Sequence, residues 1–554
     1  MTKKQTLHRK KVNTETIPES IYLFLSWLCG AFAFLCGVLV LVIMPFYFRQ
    51  GYTHIGSDKS YFLRTSCRML YKLILPVWGV TILLGIGIRI SRAKRAGSLF
   101  RNRIRFQLGD FFVLCYGVSA VISWLGSSYP KTALWGTKGW YMGMIPQLAF
   151  VALYFLISRY LAAFLAKALL VAAMVASSAT FLLGYLNRFD VWPIPMENSG
   201  LPAYISTIGN INWFCGYMVS VLFLGVGLFW LDQKKNSWKR VGLILYCFLG
   251  FAVAGVQGSD SGVVASLFVF FFLYELSAGQ MILMKNWLQL VVLLGVSGMF
   301  TSLVRILFPG RLTFSSSIGS RLVYSPIPLL LTAVSVIMLW MIHSSKETLQ
   351  KKIGIIFRKS AIVLKFAVPG MFILFVLCIL LNTLFPGSIG PLSQYSVFTF
   401  QNSWGSYRGA SWKIGLQAFG EQDLFHKIIG IGPDCMADFL YQDAGRSLKA
   451  LAKEAFQNKR LTNAHSECIT ILLNMGVAGA ASYVGMIFCQ IRDGLKKRQE
   501  CIFGAACSLC VLAYCVNNIW SFQQSMSTTT IFAVMGLGRC ILRDVERNPG
   551  KGAI

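Results

Sequence analysis

Two side chains carry most of the chemistry that this sequence can offer. His465 lies in Asn463-Ala464-His465-Ser466-Glu467, just ahead of a long apolar run, and Arg408 lies in Ser406-Tyr407-Arg408-Gly409. A neutral imidazole is the natural base near pH 7, and the positive end of a following helix favours that neutral form. Arginine keeps its charge and grips a phosphate or pyrophosphate with two parallel hydrogen bonds. Each also has an ordinary role. His465 could be a polar residue at a membrane boundary with Asn463 or Ser466 as helix cap, and Arg408 a solvated or headgroup-binding cation.

Other polar groups stand at the ends of apolar runs. Asn210, Asn212 and Trp213 open one in Gly209-Asn210-Ile211-Asn212-Trp213, and Asp260 sits in the tight turn Gly258-Ser259-Asp260-Ser261-Gly262. Capping and interfacial anchoring would account for them singly. Their coincidence on one side, together with Gly139-Trp140-Tyr141, Arg311, Arg321, Arg408, His465 and Glu467, points to a site for an anionic, lipid-anchored, sugar-like substrate.

The elements that must hold these groups are membrane helices. A chain of 554 residues that is 55% hydrophobic and 13% charged, with mean hydropathy +0.60, cannot bury its apolar surface in one soluble core. Apolar runs of roughly 20 residues, enough to cross a hydrocarbon layer, recur along it. An all-α polytopic bundle follows, because helices satisfy their own backbone groups. About fourteen spans are expected: 21–48, 73–90, 108–125, 140–158, 161–186, 210–231, 238–256, 261–283, 286–308, 326–343, 361–386, 466–491, 501–519 and 525–542.

The formal charge of +31 is concentrated in alternate short loops, which argues for membrane topology and anionic lipid rather than nucleic acid. Lys234, Lys235, Lys239 and Arg240 fill one such loop, Lys346 to Lys359 another, and Arg492 to Arg498 a third. The positive-inside rule makes these loops cytoplasmic. The chain then divides into a basic cytoplasmic tail (1–20), eleven spans (21–386), one large extracytoplasmic loop (387–465), three spans (466–542) and a cytoplasmic tail (543–554). The first outer loop dissents, since Arg49, Lys59, Arg64 and Arg68 make it basic. Either the first two spans are drawn wrongly or those charges have a job.

The large loop is expected to fold as a lid. Trp412, Leu416 and Phe419 share a face at helical spacing over about 407–422. Pro433 and Asp434 after Gly432 read as the start of a second short helix, about 433–442. No metal-ligand spacing occurs, the five histidines are scattered, and Gly430-Ile431-Gly432 lacks the lysine of a phosphate-cradling loop, so neither a metal nor ATP is indicated. Fifteen cysteines, mostly single within spans, read as core packing.

The ordered set comprising Gly209-Asn210-Ile211-Asn212-Trp213, Ser259-Asp260-Ser261-Gly262, Arg408-Gly409-x-x-Trp412, Gly430-Ile431-Gly432-Pro433, Ala464-His465-Ser466-Glu467 and Gly476-Val477-Ala478-Gly479 resembles the O-antigen ligase and Wzy-type polymerase family over roughly residues 136–492. The resemblance implies a membrane glycosyltransferase that needs no metal, cofactor or nucleotide sugar. Such an enzyme moves a glycan from an undecaprenyl-diphosphate carrier to an acceptor hydroxyl at the outer face of the cytoplasmic membrane. A flippase and a chain-length regulator would be its partners. His465 matches the family's histidine, a base for the acceptor, and Arg408 the arginine that holds the pyrophosphate. The chain departs from the pattern where Asp260 and Ser261 follow Ser259 in place of an arginine, and where Ser466 replaces the common asparagine. A second cation would then come from Arg305, Arg311 or Arg321.

Two rivals remain at this point. A transporter or flippase would show internal repeats, broken helices and charges at mid-membrane, none of which is evident in the sequence. A non-catalytic partner of an assembly machine would tolerate loss of His465.

Overall fold

The computed structural model describes residues 17–49, 51–95, 106–233, 237–312, 317–457 and 459–548. The expected basic tail up to residue 16, the basic cluster over 96–105, Lys234 and Lys235, and residues 549–554 lie outside the described residues. Among those described, the regular secondary structure is helical apart from one two-residue antiparallel ladder, in which Tyr204 pairs with Asn210 and Ile205 with Gly209.

Among the described residues twelve helices are long and apolar enough to cross a membrane, as expected of a multi-pass membrane protein. Two of the fourteen expected spans, 140–158 and 501–519, are shorter helices, Met144–Tyr160 and Ile502–Asn517, of 17 and 16 residues.

Burial runs from centre to rim. Ile211–Leu231 is apolar all round, and every residue from Phe214 to Leu231 is buried, as in a helix with neighbours on all sides. Ser525–Arg547 is almost as central. Its small residues, among them Ser527, Thr530, Ala533, Gly536 and Gly538, let neighbouring backbones approach closely. At the rim, Glu347–Leu384 exposes Phe366, Met371, Phe372 and Leu374, a surface suited to lipid.

Three departures from the expected elements matter for the site. The second span is not confined to 73–90: helix runs from Ile55 to Arg92 through a π-turn at Leu70–Ile74, so the basic residues of the first loop are helical. Likewise, Lys351 to Lys359 lie within the helix Glu347–Leu384 rather than in a loop. Finally, Glu467–Lys496 is broken at Gly476, whose φ of 64° and ψ of −172° are not helical. A broken helix is therefore present where none was expected.

The segment 387–465 has a small core of its own, in which Ile414, Ala418, Ile431, Cys435, Met436, Leu440, Leu448 and Leu461 pack together and onto Leu473. Its first long helix is Trp404–Glu421, close to the expected 407–422. The buried face centres on Ala410, Ile414 and Ala418; of the expected Trp412-Leu416-Phe419 face, Phe419 packs against the segment's core and Trp412 is half-buried, whereas Leu416 is exposed and is corrected. The small residues Gly409, Ala410, Ser411, Gly415 and Ala418 around Ile414 let this helix lie close to its neighbours. The expected helix start at Pro433 is also corrected. Asp434 adopts φ 63°, and helix begins only at Met436, running into a π-turn over Phe439–Asp443. An amphipathic helix, Arg446–Phe456, completes the segment.

Candidate functional site

Arg408 is placed by backbone that few residues adopt. Gly405, Ser406 and Tyr407 all have positive φ, and regular helix starts at Arg408. Non-glycine residues in this region are uncommon and cluster at functional sites. The guanidinium is then fixed on one side: Nε donates to the Trp520 carbonyl oxygen at 2.8 Å and Nη1 to that of Gly405 at 2.8 Å. Its remaining N–H groups stay available for a ligand. Burial pulls its pKa below the ordinary arginine value, while Asp260 and the Cys215 thiol oppose that shift. All three groups therefore lie in one electrostatic neighbourhood.

His465 is held equally firmly. It sits at φ 49°, its backbone N–H donates to Asn463 Oδ1 at 3.0 Å, and the next helix starts at Glu467. The expected caps do not act as such: Ser466 makes no side-chain capping bond, and Asn463 turns the chain at His465 instead. Phe522 stands edge-on to the imidazole, with ring centroids 5.2 Å apart and planes at 88°. Burial, and then the charge of Arg408, push the imidazole pKa down from 6.5 to about 4. His465 is thus neutral at pH 7, and no described residue hydrogen-bonds its ring. A neutral base and a fixed cation are thus held by the same short stretch, Arg408 on Trp520 and His465 against Phe522.

The helix ends below them form one polar chain. Asn210 caps Ile211–Leu231 by accepting from the Asn212 N–H at 2.9 Å. Ser259 Oγ donates to Asn212 Oδ1 at 2.9 Å and lies 3.0 Å from Ser261 Oγ. Ser261 donates to Asn517 Oδ1 at 2.8 Å, and Asn517 to Asn518 Oδ1 at 2.8 Å. Asn518 in turn donates to Glu467 Oε2. Glu467 is 1% exposed, so it does not meet substrate as expected. It holds Asn518, from which the chain runs on to Trp520 and Phe522.

The remaining expected residues fall into two groups. Trp213 is a packing residue, set edge-on to Trp140 at 5.7 Å, and Trp140 packs on Phe522 at 5.0 Å. Asp260 is exposed and accepts from the Ile318 N–H at 2.7 Å, docking the short helix Ile318–Val323 that carries Arg321. Arg321 and Arg311 are exposed, and neither side chain is tied to the site by a hydrogen bond or ion pair among the described residues. Arg305 stacks on Tyr324, 4.2 Å from the ring centre.

Gly430-Ile431-Gly432 has a structural task. At the break in Glu467–Lys496, the Leu473 carbonyl accepts from the Ile431 N–H at 3.3 Å and the Asn474 carbonyl from the Gly432 N–H at 3.0 Å. Gln422 and Ser123 also donate to these two carbonyls. A Cβ on Gly430 would lie 2.2 Å from Asn474 O, and one on Gly476 2.3 Å from Ile428 O. Both glycines have positive φ, so backbone meets backbone there because no side chain intervenes. Asp434, 7% exposed, then accepts from the Thr137 and Met142 N–H groups at 2.7 and 3.1 Å. This clamps the Trp140 loop to the large segment, and burial raises the carboxyl pKa to about 7.

Between these pieces lies a narrow cleft of about 30 Å³, lined by Trp140, Gln147, Asp434, Asn463, Asn474 and Phe522, with neither His465 nor Arg408 in its lining. Phe522 forms its wall towards His465. The contribution of 518–524, which holds Arg408 through Trp520 and packs His465 through Phe522, was missing from the sequence reading. Its only signal was a polar run, Asn517-Asn518 and Gln523-Gln524, between two apolar helices. Among the described residues no three of His, Cys, Asp and Glu converge as a metal site requires. Comparison with known protein families and with curated proteins gives no match for this chain.

Proposed function

We propose that this protein is a membrane glycosyltransferase that moves a glycan from an undecaprenyl-diphosphate carrier to an acceptor hydroxyl at the outer face of the cytoplasmic membrane, with both termini cytoplasmic. Polymerisation of surface polysaccharide repeats is the preferred outcome. Ligation of finished glycan to a surface lipid or wall polymer uses the same groups with another acceptor. The observation that carries the reading is that one short turn fixes Arg408, through the Trp520 carbonyl, and His465, through Phe522, with burial and the Arg408 charge keeping that imidazole neutral. In the reaction, His465 takes the acceptor hydroxyl proton as the acceptor oxygen bonds to the anomeric carbon. The bond from that carbon to the diphosphate breaks, and Arg408 receives the leaving charge.

The low histidine pKa fits this sequence of events. A diphosphate seated on Arg408 offsets the cation that disfavours imidazolium, so arrival of the donor raises the basicity of His465. The base is therefore strengthened when the leaving group is in place.

A transporter or flippase is favoured by one observation, the break at Gly476. Broken transporter helices direct their freed backbone groups at a substrate or ion, whereas here the Leu473 and Asn474 carbonyls are occupied by Ile431, Gly432, Gln422 and Ser123. The enzyme reading therefore stands ahead.

The test is complementation of a gene deletion with wild type, His465→Ala or Arg408→Ala at matched protein level, followed by gels of surface and lipid-linked glycans. Neither variant is expected to rescue. Single lipid-linked repeats without a ladder identify a polymerase, and long chains left on the carrier identify a ligase. Normal glycans from both variants would sink the reading.

A further inference from the structure

The basic residues of the first loop have partners that explain some of them and leave two over. Lys59 is buried, and its Nζ donates to the Met44 and Pro45 carbonyls at 2.7 and 2.9 Å. Arg49 lies over Tyr61 at 4.7 Å. Arg64 and Arg68 differ. They are four residues apart on one face of Ile55–Met69, where like charges repel, and no carboxylate pairs with either among the described residues.

Aromatic rings hold them in place. The Arg64 guanidinium carbon is 4.3 Å from the centre of the Tyr141 ring and 5.6 Å from that of Trp135. That of Arg68 is 5.7 Å from Trp135. Stacking fixes a guanidinium by its face and leaves its N–H edge for a bidentate anion. Arg64 Nε is buried without a hydrogen-bond partner. The two arginines precede the apolar part of their helix, at a membrane boundary in the topology adopted here. Tyr141 adjoins Trp140, which packs on Phe522, which packs on His465. Contacts through the Trp140 loop thus link the arginine pair to the base.

We propose that Arg64 and Arg68, stacked on Trp135 and Tyr141, seat the phosphate of a lipid-linked acceptor, while Arg408 holds that of the donor. This rests on the glycosyltransferase reading and sharpens it, because an acceptor that carries its own lipid phosphate is the next repeat unit of a polymerase. Two anionic lipids then serve His465 from two separate seats, with the acceptor sugar reaching across the Trp140 loop.

The test is native mass spectrometry and titration of the full-length protein in nanodiscs of zwitterionic lipid, with farnesyl diphosphate as the probe. Wild type is expected to bind two equivalents. Arg68→Glu, at an exposed position, is expected to keep the wild-type melting temperature and lose one equivalent, weakening that site roughly ten- to hundredfold. Arg68→Lys keeps the charge without the fork and falls between. Arg408→Gln is expected to lose the other equivalent. If Arg68→Glu and Arg64→Gln both retain two equivalents, the acceptor seat is wrong while the donor site stands. If wild type binds no probe, the glycosyltransferase reading itself fails. Equal displacement by phosphatidylglycerol would make the seat an ordinary headgroup site, and equal displacement by inorganic pyrophosphate a free-anion site. Either result overturns the acceptor assignment.

Discussion

Arg408 donates through Nε to the carbonyl oxygen of Trp520, two residues before Phe522, whose ring stands edge-on to His465. One short turn between two buried helices therefore sets the cation and the base together. Phe522→Leu keeps the apolar volume but removes the edge that orients the imidazole. It is expected to lower turnover about tenfold or more at unchanged expression, measured as glycan product per unit of purified protein.

Replacing Arg408 separates charge from geometry. Arg408→Ala is expected to reduce turnover by roughly a hundred- to thousandfold, the usual scale for losing a preorganised charge stabiliser. Lysine retains the charge but cannot reach the Trp520 and Gly405 carbonyls together and still present a fork. Arg408→Lys should therefore recover only part of the activity in the same assay.

The pH dependence of His465 has a definite sign. Its folded pKa of about 4 lies below the ordinary 6.5, so the unfolded chain binds more protons between those values. Stability from this group is complete above about pH 6.5 and falls as the pH drops towards 4. In activity, the acid limb of kcat/KM is expected near pH 4, and that of kcat higher, because bound diphosphate offsets Arg408. A pH series of initial rates on wild-type protein, with and without saturating donor, is the measurement.

Asp434 runs the other way. Its folded pKa of about 7 exceeds the ordinary 3.8, so its stabilising contribution is present below about pH 3.8 and is lost as the pH rises through 7. Asparagine can accept the same two N–H groups without a charge. Asp434→Asn is expected to match or exceed wild-type melting temperature at pH 8, while Asp434→Ala, which strands both donors, should lose about 2 kcal/mol or more. Thermal scans of purified protein at pH 6 and 8 decide it.

A distant ion pair serves as a control. Asp110 is fully buried, with Arg159 Nη2 at 2.6 Å and Tyr154 Oη at 2.9 Å. Asp110→Ala leaves that arginine without its carboxylate at a cost of about 3–5 kcal/mol. Its expected effect is loss of folded protein, with normal turnover per folded molecule.

The helices were legible because each apolar run had to satisfy its own backbone, and His465 and Arg408 stand out as candidates because few residue types offer such chemistry. What stayed hidden depends on long-range packing. Nothing near Gly476 announces a break, since the carbonyls it frees are satisfied by residues more than forty positions earlier in sequence. The extension of the second span back to Ile55 escaped notice because Lys59 looks like a loop residue until its carbonyl partners are known. Leu416 misled for a similar reason. It is the largest aliphatic residue on its helix face, yet the contact is made by Ala410, Ile414 and Ala418.

The fastening of Gly430–Gly432 into the broken helix also governs traffic. A cover stitched to the bundle by main-chain hydrogen bonds at one edge, and by the Asp434 clamp beside it, cannot hinge open there without stranding buried backbone groups. For the lipid-linked substrate proposed above, this edge is then a wall rather than a gate, and entry would have to come from another side of the cover.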